Sequence, residues 1–371
     1  MIHHNPKIEY NCIFGKLQLD SPYLWSKGIG YKPLVSEMKI THQGRSEMVN
    51  RALSDFGIEE SFVQASLRFT EHYQYEIGLS AVARTTHETA HQALDYVEEK
   101  LTHANSEGED NTDESIHKML VELDGCEIRT VVCQPIENSK ETTPVYGNPV
   151  KRKELNWRDV RLGFVRPLES NSKTFVAKME AYPEVIGDLH NAALLIGMTD
   201  ETEIIGVSDG GIGLSEELKR QFPTMQFILD KTHLKDHLYE TAEALEIDKK
   251  ERVKWVEERI RKISDGEVEV IIKELEEQHK KNTISRVKRL IGYLTRFSDA
   301  LNYNRFKEKG YPIGSGEIES AHKSIPQKRL KIPGASWLPE SINPMLALRI
   351  LRANNWWKEF WEKRTEELLA T

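Results

Sequence analysis

Apolar residues change their spacing along the chain, and the change divides it. In "SEMVNRALSDFG", "EESFVQASLRFTEHYQYE" and "IGLSAVARTTHETAHQALDYVEEKL" they recur at three- and four-residue steps, the period of amphipathic helices. The last stretch reads as a short helix (Leu79 to Arg84), a Thr-Thr break and a longer helix (His87 to Leu101), with Thr85 or Thr86 as cap. Residues 1–103 are therefore expected to be helical. "ANSEGEDNTDES" (Ala104 to Ser115) has no hydrophobic residue beyond Ala104, and residues 104–116 read as an acidic linker.

Beyond the linker the period shortens. "KMLVELDG" reads as a strand ending at Asp124 and "CEIRTVVCQP" as its hairpin partner, followed by strands in "DVRLGFVRPL" and "TFVAKMEA". "YPEVIGDLHNAALLIGM" is helical, "TEIIGVSDGG" a buried strand, and "GLSEELKRQF" a helix with Ser215 near its cap. "MQFILD" is the next strand and "THLKDHLYETAEALE" the helix after it. Helical periodicity fills Asp248 to Tyr303, and the turn "EKGYPIGSG" opens the helix "EIESAHKSI". Three antiparallel strands followed by alternating helices and strands predict a mixed α/β sheet over residues 117–371. In that order the first and fourth strands lie side by side. A helical insertion at about residues 240–310 is expected as a separate lobe.

Composition narrows the class. The chain has 371 residues, 39% hydrophobic and 30% charged, with no apolar run long enough to span a membrane. Its start, "MIHHNPKIEYN", does not read as a signal peptide. Cys12, Cys126 and Cys133 are too few and too irregular for a disulfide framework or a zinc ribbon, so a reducing cytoplasm is the expected location. Net charge is −8, yet Lys280 to Lys331 holds thirteen Lys/Arg against four Asp/Glu, a local excess of nine. Such a field binds phosphates whatever the whole-chain sum. The N-terminal helix pair has the outline of a helix-turn-helix, a second place for DNA.

The candidate chemistry lies in "EIIGVSDGGIGLSEELKRQFPTMQFILDKTHLKDHL", where two apolar runs each end on an aspartate, Asp209 and Asp230. Asp124 and Asp209 both end a strand and both precede glycine, which leaves room for a ligand beside the carboxylate. Two carboxylates brought together repel each other unless a hard divalent cation, Mg²⁺ or Mn²⁺, neutralises them. A third carboxylate is available in "GSGEIESAHK", as Glu319 or Glu317. These two are offset by two positions on a helix and point to different faces. Three such carboxylates suit two-metal phosphoryl transfer. Lys323, Lys328, Arg329 and Lys331 follow at once and would track a DNA backbone, with Trp337 placed to stack on a base. Trp356, Trp357, Phe360 and Trp361 read instead as packing residues.

The ordered series "LDG", "SDGGIGLSEEL", "FPTMQFILDKTHLKDHLYE", "YPIGSGEIES" and "KIPGASW" resembles bacterial insertion-sequence transposases of the DDE class, closest to the ISKra group, kin of the Mutator-like transposases. The resemblance runs from about Met119 to the C-terminus. It implies an RNase H-like catalytic domain interrupted by a helical insertion, and Mg²⁺-dependent cleavage and strand transfer at inverted-repeat ends. It also implies target DNA as a partner, homo-oligomers on DNA and a nucleoid-associated place in the cytoplasm. By motif it makes Asp124, Asp209 and Glu319 the catalytic, metal-binding residues, and Asp230 and His233 the supporting Asp-x-x-His pair. Relatives often carry a cysteine-rich zinc motif near the start, where only Cys12 stands here. Two other readings stay open, an inactive or domesticated DNA-binding relative and another RNase H-like nuclease such as a resolvase.

Overall fold

The structure, a computed structural model, describes residues 2–4, 6–26, 28–37, 40, 44–103, 116–135 and 151–370. The linker expected at 104–116 falls, but for Ile116, outside the described residues. The chain forms two compact units, one of residues 1–100, 127–158 and 324–371, the other of residues 101–126 and 159–323. The sequence-based expectation is an N-terminal region of residues 1–103, a linker of 104–116 and a domain of 117–371.

The first unit opens with strands where a helical region was expected: β1 (Ile2–His4), β2 (Lys7–Cys12), β3 (Gly15–Asp20), β4 (Tyr23–Ser26) and β5 (Ile29–Tyr31). β2 and β3 pair as an antiparallel hairpin from Lys7↔Asp20 to Cys12↔Gly15, and β1, β4 and β5 form a small sheet. The alternation in "KIEYNC" carries the strand period of two, too short a run to stand out beside the helices that follow. Then come α1 (Pro33–Glu37), α2 (Glu47–Glu59), α3 (Phe62–Tyr73) and α4 (Leu79–His103). Ser46 and Ser61 cap α2 and α3 by accepting from Val49 N and Gln64 N. Val49, Leu53, Ala65, Phe69, Ile77 and Val82 close the core between these helices.

α4 is one continuous helix of 25 residues, so the expected break at Thr85-Thr86, and with it the helix-turn-helix, is not present. Both threonines are buried inside the helix. Thr86 Oγ1 donates to Val82 O one turn back, and Thr85 Oγ1 accepts from Arg45 Nη2. A Cβ on Gly57 of α2 would stand 2.1 Å from Thr86 Oγ1, so the two helices meet at a contact that requires glycine.

A five-stranded sheet is formed by β6 (Lys118–Pro135), β7 (Lys151–Pro167), β8 (Thr174–Lys178), β9 (Glu203–Ser208) and β10 (Gln226–Leu229), in the order β10-β9-β6-β7-β8, and residues 118–126 of β6 and 159–167 of β7 belong with β8, β9 and β10 to the second unit. β6, β9 and β10 run parallel, and β8 is antiparallel to β7. The first and fourth strands of this sheet are neighbours, as the element order predicts. β6, however, is one strand of 18 residues, not a hairpin turning at Asp124-Gly125. Gly125 has no positive φ, so the chain stays extended there.

Helices α5 (Tyr182–Leu195), α6 (Leu214–Gln221) and α7 (Lys231–Ala244) connect and follow the later strands. α8 (Lys249–Ser264), α9 (Val268–Lys281), α10 (Ser285–Arg296) and α11 (Tyr303–Glu308) make the insertion, with no strand between Asp248 and Tyr303. It is not a separate lobe, for it shares one compact unit with the sheet. Phe297, just past α10, stacks on Phe227 of β10 at 5.8 Å between centroids. α12 (Gly316–His322) ends the unit, and a π-helical turn leads to α13 (Lys328–Leu330), α14 (Ile342–Ala353) and α15 (Trp357–Ala370) of the first unit. Trp357, Phe360 and Trp361 are buried there as packing residues. Among the described residues no helix is long and apolar enough to cross a membrane.

Candidate active site at the strand ends

Parallel register lines up the aspartates. β6 pairs with β9 from Lys118↔Glu203 to Glu122↔Val207, a constant offset of 85 that brings Asp124 level with Asp209. β9 pairs with β10 up to Ser208↔Leu229, an offset of 21 that brings Asp209 level with Asp230. Asp209 Oδ1 accepts from Gly211 N at 2.9 Å, and Asp124 Oδ1 from Gly125 N at 2.7 Å. Each carboxylate thus has one oxygen held by its own backbone. Gly210, at φ +76°, turns the chain beside Asp209, and a Cβ there would meet Leu229 Cδ1 at 2.7 Å. From α10, Tyr293 Oη donates to Asp209 O at 2.8 Å and steadies the same turn.

Asp124 binds its proton more tightly than an ordinary aspartate. Burial is the main cause, and the Asp209 carboxylate adds to it. His322, the Gly125 N–H and His233 oppose the shift without cancelling it. His322 is close: its Nε2 lies 3.6 Å from Asp124 Oδ2. These four side chains, Asp124, Asp209, His233 and His322, form the electrostatic centre of the site.

Asp230 has a different task from the other two aspartates. It is 1% exposed, caps α7 by accepting from His233 N at 2.7 Å, and takes Ser315 N and Ser315 Oγ on its other oxygen. The expected supporting pair is therefore joined through the His233 backbone, and its aspartate pins the "GSG" turn to the end of β10. The His233 ring stays within electrostatic reach of Asp124.

α12 is anchored along its length. Ile318 N donates to Glu122 Oε2 at 3.1 Å, and Arg166 clasps Glu317 through Nε at 3.2 Å and Nη2 at 2.7 Å. Lys173 adds an ion pair to Glu317 at 2.7 Å. Burial works against ionising Glu317, but Arg166 and Lys173 outweigh it and hold its pKa below the usual range. Glu317 is thereby committed to the sheet, while exposed Glu319 shares a helix face with His322 three residues on.

Sequence reasoning missed Glu122. It is fully buried on β6, two positions from Asp124 and so on the same face. Burial, with Glu317 nearby, pushes its pKa up to about 8 against the pull of the Ile318 N–H, Arg166 and Lys173. Its signal was a lone acid inside the apolar run "MLVEL". Arg166 in "GFVRPL" was its basic counterpart.

The expected DNA-contacting residues separate into two groups. Lys323, Lys328 and Lys331 are exposed, Lys328 pairing with Glu59. Arg329 and Trp337 are buried, which removes them from any backbone-tracking or base-stacking surface. Arg329 Nε donates to Gly57 O at 2.8 Å, and its guanidinium lies 4.8 Å from the Phe62 ring centroid and 4.7 Å from that of Trp337. Trp337 Nε1 donates to Leu330 O. Burial, with Arg349 nearby, lowers the Arg329 pKa to about 10.

Asp124 and Asp209 fit a hard divalent cation in donor type and in their mutual repulsion, which a cation relieves. Among the described residues, no three His, Cys, Asp or Glu side chains are gathered to hold a metal ion, so Glu319 is not in place as a third ligand in this conformation. Compared with known proteins, the chain matches no family model and no curated protein.

Proposed function

We propose that the chain is a DDE transposase of the kind its motifs resemble, cutting and joining DNA phosphodiesters at the ends of an insertion sequence on an RNase H-like sheet. The observation that carries this reading is the alignment of Asp124 with Asp209 on adjacent parallel strands, with α12 pinned beside them by Asp230, Glu122 and Arg166. Neighbouring first and fourth strands are what that fold requires. Asp124 and Asp209 would hold Mg²⁺ or Mn²⁺, with Glu319 completing the set once α12 or its side chain adjusts, and the bound metal would activate the attacking hydroxyl and stabilise the leaving oxygen. In this reading His322, whose Nε2 lies 3.6 Å from Asp124 Oδ2, would help to position the scissile strand.

The test is cleavage. Purified protein with Mg²⁺ and labelled DNA carrying the sequences that flank its own coding region should nick at the repeat ends, and nicking should vanish in Asp124→Asn. Sequence-indifferent cutting of branched DNA would favour the resolvase reading. Binding without any cutting would favour the inactive relative, a reading that gains from Asp124 having His322 as its near neighbour where a metal would stand.

A further inference from the structure

α7 carries a second histidine toward the site, one turn beyond His233. His237 Nδ1 stands 2.7 Å from Arg286 Nη2, and Arg286 is itself paired with Glu240. An arginine has no lone pair to accept with, so the ring nitrogen must accept and the imidazole proton resides on Nε2. Arg286 thus fixes one tautomer. It also keeps the ring neutral: burial and the adjacent guanidinium both lower the His237 pKa, as does His233, against Asp236 and Asp209. The ring packs edge-on against Tyr293, 4.6 Å between centroids, and Tyr293 holds the Asp209 backbone oxygen. The side chain is 37% exposed, so a ligand can reach it.

We infer that His237 is a phosphate-binding residue, a neutral Nε2–H donor oriented by the Glu240–Arg286 pair to hold a non-bridging oxygen of a nucleic-acid phosphodiester beside Asp209. The inference rests on the transposase reading for its ligand, but not for its tautomer. A neutral donor suits this position. A charged imidazolium would compete with a metal for the aspartates, whereas an N–H polarised by a neighbouring guanidinium binds an anionic oxygen without adding charge beside them.

Two measurements on the full chain test it. With histidine-selective ¹⁵N labelling, His237, identified as the signal lost in His237→Gln, should show the Nε2–H pattern at neutral pH, and Arg286→Gln should scramble it. An imidazolium or an Nδ1–H pattern in the wild type overturns the assignment. Binding of a fluorescein-labelled DNA duplex is then followed in EDTA, where cleavage plays no part. His237→Phe keeps the edge contact with Tyr293 but has no donor, and should bind about tenfold more weakly. His237→Gln places an amide N–H near the lost Nε2–H and should restore binding to within about twofold of wild type. If Phe binds as tightly as His, the subsite is wrong while the transposase reading stands. If the wild type binds no duplex at all, that reading and the subsite fail together.

Discussion

Asp124 and Asp209 stand level on adjacent parallel strands, separated by the same 85 positions that relate Glu122 to Val207. Their proximity costs the folded protein stability, because burial and the second carboxylate hold the Asp124 pKa above its ordinary 3.8. The unfolded chain releases that proton first as pH rises, so this contribution to stability is lost between 3.8 and the raised folded value. At neutral pH in EDTA, Asp124→Asn should therefore melt at a higher temperature than wild type. Mg²⁺ should raise the wild-type melting temperature and leave the variant unmoved. A variant that melts lower in EDTA would mean that the repulsion is not felt.

Glu122 gives a second pH dependence with the same sign. Its pKa moves from an ordinary 4.5 to about 8 on folding. Between those values the folded state keeps a proton that the unfolded chain has released, so stability should fall with a slope of up to about 1.4 kcal/mol per pH unit. Glu122→Gln keeps an acceptor for Ile318 N and cannot ionise. In urea titrations with EDTA its slope should flatten, and it should surpass wild type above pH 8. Glu122→Ala leaves that N–H unpaired and should lose about 1–3 kcal/mol at every pH.

The two glutamates of α12 should part cleanly. Glu319→Gln removes an exposed carboxylate and should abolish Mg²⁺-dependent cutting with little change in unfolding free energy. Glu317→Gln leaves buried Arg166 without its counter-charge, and should cost about 1–3 kcal/mol while retaining measurable cutting. The reverse pattern would make Glu317 the catalytic residue.

What the sequence made legible follows from how local each signal was. The apolar runs ending at Asp209 and Asp230 are single buried strands, and register alone then aligns their carboxylates. Asp124-Gly125 misled because that dipeptide commonly turns, whereas β7 runs alongside and keeps β6 extended through it. Thr85-Thr86 misled in the opposite direction, since threonine favours caps until a buried neighbour such as Gly57 leaves room for it inside a helix. The Glu122–Ile318 and Arg166–Glu317 contacts join positions 196 and 151 residues apart, and no local pattern encodes them. Arg329 was read as a DNA contact for its charge, and only the packing of Phe62 and Trp337 on its guanidinium shows the charge turned inward.

That inward turn changes what the basic tract should do in solution. Lys323 and Lys331 are exposed and have no counter-charge within ion-pairing distance among the described residues, whereas Lys328 is paired with Glu59 and Arg329 is buried. If the tract holds DNA through its phosphates, each free lysine lost should flatten the log–log dependence of affinity on salt by about 0.9 on duplex DNA. Lys323→Gln with Lys331→Gln should therefore flatten the slope by about 2 units and weaken all sequences alike. Arg329→Gln should leave the slope of the folded protein unchanged and lower its unfolding free energy instead, because Gly57 O loses its donor and two aromatic rings lose the guanidinium between them. Anisotropy titrations across salt, set beside thermal melts of the same preparations, separate the two outcomes. A flattened slope in Arg329→Gln at full stability would place that guanidinium on the DNA after all, and the first unit would have to open to release it.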